Sequence, residues 1–413
     1  MDRTVIALRT ACHNKLRRLY PAGIPEVVQA RLEEEWQRMR ESGKEEDCYA
    51  FRVIAAEAQH LGHPLNLRGA GNASLLAFLL HDSGVNPLPA HYYCESCGHY
   101  EEIPNVFFGL DAADRPCPDC GGTMRARGFS LPQAFAWDQK GGLDLSEISC
   151  SMDDKSLFPL LQRLYGSRVV RMAELLKDGK GKSYFTPVKR YMILPAGQEP
   201  ADYSPWVVNC RERKKTFYAS LEEMEAAGVR QLKCLPWRGY PAEGDGRKTL
   251  RGIKPMPELT EALKEKVALT DLFEESEKGI GREYKSHRAW QKLQASPPAS
   301  WYELTERICR EYSNWNRPYG EGEQPAFSSR EALYQLLVRE GIKDQDAFPI
   351  CDFIRIGKAA DPKHGTEWKQ MLSAFPALES LRSDAENCRY LWSQASVLPN
   401  LLDAVACAGR KTI

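Results

Sequence analysis

Residues 91–122 read HYYCESCGHYEEIPNVFFGLDAADRPCPDCGG, and this stretch contains two CxxC pairs. Cys94 and Cys97 form the first pair, Cys117 and Cys120 form the second, and nineteen residues separate them. Two CxxC pairs at about this spacing are typical of a site where four thiolates bind one zinc ion. Four thiolates complete a tetrahedral shell, so the predicted zinc is structural. A redox CxxC pair and a metal-free loop are the alternatives.

The composition limits the class of protein around this motif. A chain of 413 residues predicts two or three domains. Its 56 Lys and Arg balance 56 Asp and Glu, which excludes a polybasic chain but allows local basic patches. The other nine of the 13 cysteines are scattered and odd in number, which argues against a disulfide framework. With no bilayer-length apolar stretch and no secretory leader, we expect a cytoplasmic protein.

A glycine-rich turn precedes the cysteine motif. Residues 20–61 predict two amphipathic helices, separated near Gly43. The stretch LRGAGNAS at 67–74 then leads into an apolar run that ends at Leu80. A turn of this kind can present backbone N–H groups to a phosphate. An ordinary strand–turn–helix connection is the alternative.

Basic and aromatic residues alternate between 168 and 218, after the cysteine motif. Such mixing can bind a nucleic-acid backbone and stack bases, although a solvated face with half-buried strand aromatics explains it equally well. Residues 241–257 predict a linker. The remainder is predicted to be mostly helical, with helices at Leu259–Phe273, Trp301–Tyr312, Ser329–Glu340, Asp346–Ile356, Glu367–Phe375 and Ala385–Cys407.

Several of these segments, taken in order, resemble the PolC-type DNA polymerase III alpha subunit. The most specific is GNASLLAFLLHDSGVNPLPAHYYCESCGHYEEIP at 71–104, which is followed by the second CxxC pair at Cys117 and Cys120. VRQLKCLPWRGYP at 229–241 resembles a later palm element, and REALYQLLVREGI at 330–342 and FIRIGK at 353–358 resemble finger helices. The resemblance covers about residues 10–407 and concerns the palm, zinc ribbon and fingers core only.

The resemblance implies an α+β fold. Its parts are a polymerase-beta-like (nucleotidyltransferase) palm with a mixed sheet, an inserted four-cysteine zinc ribbon and a helical fingers region. The implied division places the N-terminal part of the palm, with the glycine-rich turn, at 1–90 and the zinc ribbon at 91–126. The rest of the palm follows at 127–257 and the fingers-like domain at 258–413.

The family's chemistry is two-metal phosphoryl transfer, with three Asp residues on neighbouring strands as metal ligands. The resemblance places the paired Asp positions at Glu147 and Ser149 and the third at Leu235. A shifted register retains Asp144 and places Ser146 at the second position. In either register at most one carboxylate of three survives. Serine and leucine do not replace an anionic ligand for a hard divalent cation, so we expect no Mg²⁺ site.

The phosphate-binding elements implied by the resemblance are partly retained. Arg68 and Gly69 remain in the glycine-rich turn, and Arg355 and Lys358 remain in an Arg-x-Gly-Lys element, so these four are the candidate nucleotide- or phosphate-binding residues. A Lys and a His of the family's late finger helix align with Gln394 and Ser396. The family's His-Pro-Gly-Gly segment falls at residues 187–190, without the His or the glycines.

The sequence therefore predicts a catalytically inactive PolC-like core that binds DNA, as primer–template or single strand, or a replisome protein, with no membrane partner. One alternative is an active DNA polymerase or nucleotidyltransferase that uses Glu147 or Asp144 in a rearranged site. Another is a protein-interaction or decoy protein without nucleic-acid affinity. The segment 269–273 resembles a sliding-clamp peptide without its leading Gln, and a packed amphipathic helix is the alternative.

Overall fold

The computed structural model describes residues 3–63, 65–81, 85–137, 142–150, 152–177, 181, 183–198, 206–209, 214–217, 226–236, 298–317, 319, 323–399 and 401–402. The backbone alone is described at 173–177, 183–189, 206–209, 214–217 and 235–236. The predicted linker at 241–257 and the predicted helix at 259–273, with its clamp-like segment, lie outside the described residues. So do most of the basic and aromatic side chains between 168 and 218.

The described residues before 166 form five α-helices. They are α1 (Arg3–Leu19), α2 (Glu26–Glu41), α3 (Glu45–His60), α4 (Leu75–Leu80) and α5 (Asp154–Tyr165). The apolar spacing predicted α2, α3 and α4 but neither α1 nor α5. The predicted pair between 20 and 61 is confirmed by α2 and α3. Ser42 ends α2 by donating its backbone N–H to the Arg38 carbonyl, and Gly43 turns the chain with φ +63°. A positive φ suits glycine, which has no Cβ to clash.

The strands form a mixed sheet and a small antiparallel sheet, so the α+β class is confirmed. The seven-stranded sheet has the order β1-β6-β11-β8-β7-β10-β9, and the four-stranded sheet has the order β3-β2-β5-β4. In chain order the strands are β1 (Leu65–Leu67), β2 (His91–Cys94), β3 (Tyr100–Glu102), β4 (Arg115–Pro116), β5 (Thr123–Arg127), β6 (Glu147–Cys150), β7 (Val169–Lys177), β8 (Ser183–Ile193), β9 (Trp206–Asn209), β10 (Lys214–Phe217) and β11 (Arg230–Pro236).

One face of the large sheet packs against the helices. Ile148 and Cys150 of β6 are buried in the main core together with Cys234 of β11. Strand residues alternate between the two faces of a sheet. Glu147 and Lys233 therefore lie on the other face, away from this core.

Helix α4 is a buried apolar helix whose two ends contact charged side chains. Glu35 of α2 accepts hydrogen bonds from the backbone N–H groups of Leu75 and Leu76, at 3.1 and 3.0 Å. At the other end, Lys15 of α1 donates to the carbonyls of Phe78 and His81, both at 2.6 Å. An anion at the helix N-terminus and a cation at its C-terminus match the helix dipole and satisfy end groups that have no intrahelical partner.

The C-terminal part is helical, with one correction to the predicted elements. It contains α6 (Trp301–Tyr312), α7 (Arg330–Arg339), α8 (Asp344–Arg355), α9 (Gly365–Ala374) and α10 (Arg382–Asn387), with a short antiparallel pair of β12 (Asn314–Trp315) and β13 (Cys388–Tyr390). The single helix predicted over 385–407 is wrong, because β13 interrupts it and helix resumes only at residue 394. At β13, the hydrogen-bonded pairing with β12 outweighs the local helical propensity of the sequence.

Candidate functional site

The four cysteines of the CxxC pairs converge at the ends of two hairpins. Their sulfur atoms lie within 4.8 Å of one another, and Cys94 Sγ is 3.5 Å from Cys120 Sγ. Each knuckle closes through a backbone hydrogen bond of 2.9 Å, from Gly98 N to the Cys94 carbonyl and from Gly121 N to the Cys117 carbonyl. Both glycines have positive φ, at +82° and +73°, which most other residues adopt only with strain.

This cysteine cluster can bind a metal ion. Sulfur atoms around a tetrahedral zinc stand about 3.8 Å apart, since the Zn–S bond is about 2.3 Å long. The Cys97 and Cys117 sulfurs are 3.5 Å apart, close to that edge. The backbone N–H of Cys97 lowers the pKa of the Cys94 thiol to about 6, whereas neighbouring thiols and desolvation raise the pKa of Cys97 and of Cys120.

The ribbon has a small core of its own. Tyr92 and Met124 pack with the buried Cys94 and Cys117, separately from the main core. The next residue, Tyr93, points the other way and belongs to the main core, where its hydroxyl donates to the Gly23 carbonyl at 3.1 Å. Residues 91–126 therefore have a small core around the cysteines and also contribute Tyr93 and Phe108 to the main core.

The positions that the resemblance assigns to metal ligands lie side by side on two strands. Strands β6 and β11 are parallel, with Ser149 opposite Leu235 and Glu147 opposite Lys233. Asp144, the ligand of the shifted register, precedes β6, and its Oδ1 accepts hydrogen bonds from Ser146 N at 3.1 Å and Ser146 Oγ at 2.7 Å. Only the first register puts both members of the paired positions within the strand.

Two cations surround the Glu147 carboxylate. Arg68 Nε lies 3.6 Å from Glu147 Oε1, and Lys233 Nζ lies 3.9 Å from Oε2. The Arg68 backbone N–H also donates to the Glu147 carbonyl at 2.9 Å, which fixes the first residue after β1 beside β6. The Glu147 side chain is 34% exposed, whereas Ser149 is buried. The three charged groups carry a net charge of +1, and we call them the palm triad.

The glycine-rich turn is packed inside the chain. A Cβ on Gly71 would lie 2.2 Å from the Asp144 carbonyl oxygen, so only glycine allows this approach. The Asn72 side chain donates to the Leu67 carbonyl at 2.7 Å and to the Ala395 carbonyl at 3.0 Å. Glu35 already accepts from the first N–H groups of α4. The residues form a strand–turn–helix connection, in which only Gly69 faces open space beside Arg68.

The position aligned with the family's finger lysine is part of a buried polar network. Gln394 is fully buried, and its Nε2 donates to Glu306 Oε1 at 2.8 Å. Its backbone N–H donates to Glu331 at 2.8 Å, and the Ser393 hydroxyl donates to the same carboxylate at 2.6 Å. Desolvation raises the pKa of Glu306 to about 7.

Arg355 and Lys358 lie at the end of α8, on a different element from Arg68. The Arg355 guanidinium pairs with Asp352 at 2.7 Å, and Lys358 Nζ lies 5.7 Å from the centre of the Phe353 ring. Gly357 between them has φ +80°, and a Cβ there would lie 2.3 Å from the Arg389 carbonyl oxygen. The turn is thus fitted tightly against β13.

Two arginines of the basic segment are engaged within the chain. Arg168 forms an ion pair with Glu46, and Arg171 pairs with Asp154 at 3.0 Å. Both contacts favour the solvated-face interpretation for these two residues.

The polar groups that sequence reasoning missed are Glu35, Lys233, Glu306 and Glu331. Glutamates on amphipathic helices normally lie in water, and nothing in the sequence marks these as buried. The sequence could have located Lys233, because this residue stands two positions before Leu235 and therefore lies on the same face of the predicted strand.

No family model matches the chain. It aligns with "DNA polymerase III PolC-type" from Thermotoga petrophila at 28% identity over 458 residues, covering 94% of this chain and 32% of the relative. The chain is similar to part of PolC-type DNA polymerase III. The Thermotoga maritima protein of the same name aligns at 23% identity over 447 residues, covering 91% and 32%. The Latilactobacillus sakei protein is 35% identical over 153 residues, covering 34% and 10%.

These alignments confirm the resemblance to PolC-type DNA polymerase III inferred from the motifs. The chain spans 10–32% of the length of these PolC relatives. Among the helices of the described residues, none is long and apolar enough to cross a membrane.

Proposed function

We propose that this chain is an inactive PolC-like polymerase core that binds nucleic acid through its palm. In this proposal the seven-stranded sheet is the polymerase-beta-like palm, formed by 1–90 and 127–257, with the ribbon at 91–126 and the fingers at 258–413. The observation that carries the proposal is the palm triad. The carboxylate at the first ligand position is paired with two protein cations, and the neighbouring positions are Ser149 and Leu235.

Inactivity follows from the charge balance of this face. Two-metal catalysis needs several anionic oxygen ligands to hold two divalent cations about 3.5–4 Å apart. Glu147 is the only acid among the three aligned positions, and Arg68 and Lys233 already lie within 4 Å of it. A divalent cation would have to displace the Arg68 and Lys233 side chains or bind against their electrostatic repulsion. The site therefore does not assemble the metal pair.

Nucleic-acid binding follows from the same balance. A net positive triad on the side of the sheet away from the helices attracts phosphates without a metal ion. A replisome protein is the other partner class, but the cationic character of this face favours a polyanion. In this proposal the protein acts in the bacterial cytoplasm.

We further propose that the metal of the cysteine cluster is zinc and that its role is structural. The donor set is four sulfurs, and Zn²⁺ is the usual ion for a closed tetrahedral thiolate shell in a protein. Because no coordination position remains open, the ion takes no part in chemistry on a substrate. It holds the two knuckles together and so shapes the ribbon.

The test is fluorescence anisotropy of a labelled primer–template, with the full zinc-loaded chain at several salt concentrations, without and with Mg²⁺, followed by a primer-extension assay with Mg²⁺ and deoxynucleoside triphosphates. We expect salt-sensitive binding that Mg²⁺ does not strengthen, and no primer extension. Lys233→Gln should weaken binding and reduce the logarithmic salt slope by about one. Lys363→Gln, an exposed lysine outside the palm, is the matched control and should change neither.

Two results would contradict the proposal. Primer extension above a metal-free control would support the rearranged active site instead. An absence of DNA binding even at low salt would support the protein-interaction alternative. In both cases the palm triad would need another explanation.

A further inference from the structure

A row of rings and one guanidinium lies where α8, β13 and the end of α6 meet. Tyr312 stacks on Trp392, with ring centroids 5.3 Å apart and planes inclined by 27°. Trp392 contacts Tyr390 at 6.0 Å, edge to face, and the Arg355 guanidinium carbon lies 5.9 Å from the Tyr390 ring. We call these four residues the aromatic row.

The aromatic row is open to solvent at one end. Tyr390 is 40% exposed, and Ile356, the residue after Arg355, is also 40% exposed. The Leu391 backbone N–H donates to the Arg355 carbonyl at 2.9 Å, which holds β13 beside the end of α8. Two large apolar side chains are therefore exposed on adjoining elements. An exposed ring beside basic side chains is accessible to an incoming base.

Basic side chains flank the row. Arg389 is exposed, and its Nε donates to Asn316 Oδ1, a neutral partner. Within the described part of the chain no carboxylate pairs with Arg389. Lys358 lies on the turn after α8, beside the Phe353 ring. Arg355 of the row is itself paired with Asp352. The surface therefore combines flat rings with the basic side chains of Arg389 and Lys358.

The row also leads towards the palm. Ser393 and Gln394 follow Trp392 directly, and Ala395 accepts a hydrogen bond from Asn72 of the glycine-rich turn at 3.0 Å. Ala395 is the third residue after Trp392, so their Cα atoms are at most about 11 Å apart.

We propose that the aromatic row is a stacking platform for single-stranded nucleic acid. This inference rests on the proposed function and adds a second contact surface to it. Bases present their faces only in single strands, and stacking on aromatic rings beside cationic groups is how proteins bind such strands without sequence preference. A duplex would offer phosphates to Arg389 but no base face to Tyr390.

The experiment is anisotropy of a labelled oligothymidylate of about 15 nucleotides, with the full zinc-loaded chain. Tyr390→Ala should weaken binding about 5- to 150-fold, the effect of losing one base–aromatic stack. Tyr390→Phe keeps the ring and should bind like the parent protein. Val338→Ala, at another exposed apolar side chain (39% exposed), is the matched control and should have no effect.

An abasic oligonucleotide of the same length separates stacking from charge. The parent protein should bind it more weakly than oligothymidylate, and Tyr390→Ala should not weaken it further. If Tyr390→Ala binds oligothymidylate as tightly as the parent protein, the aromatic row is not a stacking platform, whereas the proposal of nucleic-acid binding through the palm stands. If the parent protein binds neither oligothymidylate nor primer–template, the proposed function fails and this inference fails with it.

Discussion

The cysteine cluster and strands β6 and β11 are two places where the PolC resemblance implies metal ligands, and they differ sharply. In the cysteine cluster all four thiol groups are present and their sulfurs lie within 4.8 Å of one another. On the two strands, the positions implied for catalysis hold one carboxylate of three, and two cations lie beside it. One set of implied ligands is therefore complete and close together, whereas the other has one acid and a net positive charge.

The largest expected effect comes from removing the ribbon metal. Chelation or Cys117→Ser should release one zinc per chain and unfold the two CxxC knuckles, because apparent zinc binding energies of about 10–16 kcal/mol stabilise such knuckles. The main core, which includes Tyr93 and Phe108 of the same segment, should persist, since Cys94 and Cys117 pack in a separate cluster. Metal analysis and limited proteolysis measure both effects. Cys12→Ala, at a buried cysteine outside the cluster, should leave the zinc content unchanged.

A smaller effect tests how Glu35 holds the start of α4, directly after the glycine-rich turn. Glu35→Gln should lower the free energy of unfolding by about 3 kcal/mol, because one amide oxygen cannot replace a carboxylate that accepts from Arg31, Ser74 and two helix N–H groups. Glu34→Gln, on the exposed side of the same helix, should change it by less than about 0.5 kcal/mol. Urea denaturation measures the difference. Equal effects from the two variants would mean that Glu35 is not a cap.

A pH titration extends the comparison to the helical region. The Glu306 carboxyl has a pKa of about 7 in the folded protein, whereas an unfolded glutamate has one near about 4.3. As the pH rises, the carboxyl therefore loses its proton first in the unfolded state. Between the unfolded and the folded pKa, the free energy of unfolding falls by up to about 3 kcal/mol. Glu306→Gln should remove that fall and be the more stable protein at pH 8. Urea midpoints measured across this pH range provide the test. If stability falls with pH as steeply in the variant as in the parent protein, Glu306 is not the group responsible.

The smallest expected effect is on the palm triad. Glu147→Gln should change stability by less than about 1 kcal/mol, because the ion pairs are partly exposed. Primer–template binding should tighten about 2- to 5-fold, since a negative charge is removed from a cationic face. Anisotropy at low salt detects this. Weaker binding in the variant would indicate that the carboxylate itself contacts the ligand or holds a metal.

The sequence predicted the elements whose signals are local. Periodicity located α2 and α3, and the CxxC spacing located a cluster that the structure confirms. Alternation along Glu147–Cys150 indicated a strand, and the structure has one there. The helix predicted over 385–407 failed because strand pairing across 73 residues, between Trp315 and Cys388, is not a local property. The buried network of Glu306, Glu331 and Gln394 was missed for the same reason.

Helix α4 has a consequence for any shortened version of this protein. Its six residues are wholly apolar, and its polar end groups are satisfied by Lys15 from α1 and Glu35 from α2. A fragment that starts after residue 20 would lose the cation that binds two carbonyls at its C-terminal end. A fragment that starts after residue 41 would lose both Lys15 and Glu35, the charged partners at the two ends of α4. The first forty residues are therefore part of the minimal folding unit, and a shortened protein that retains α4 should also retain α1 and α2.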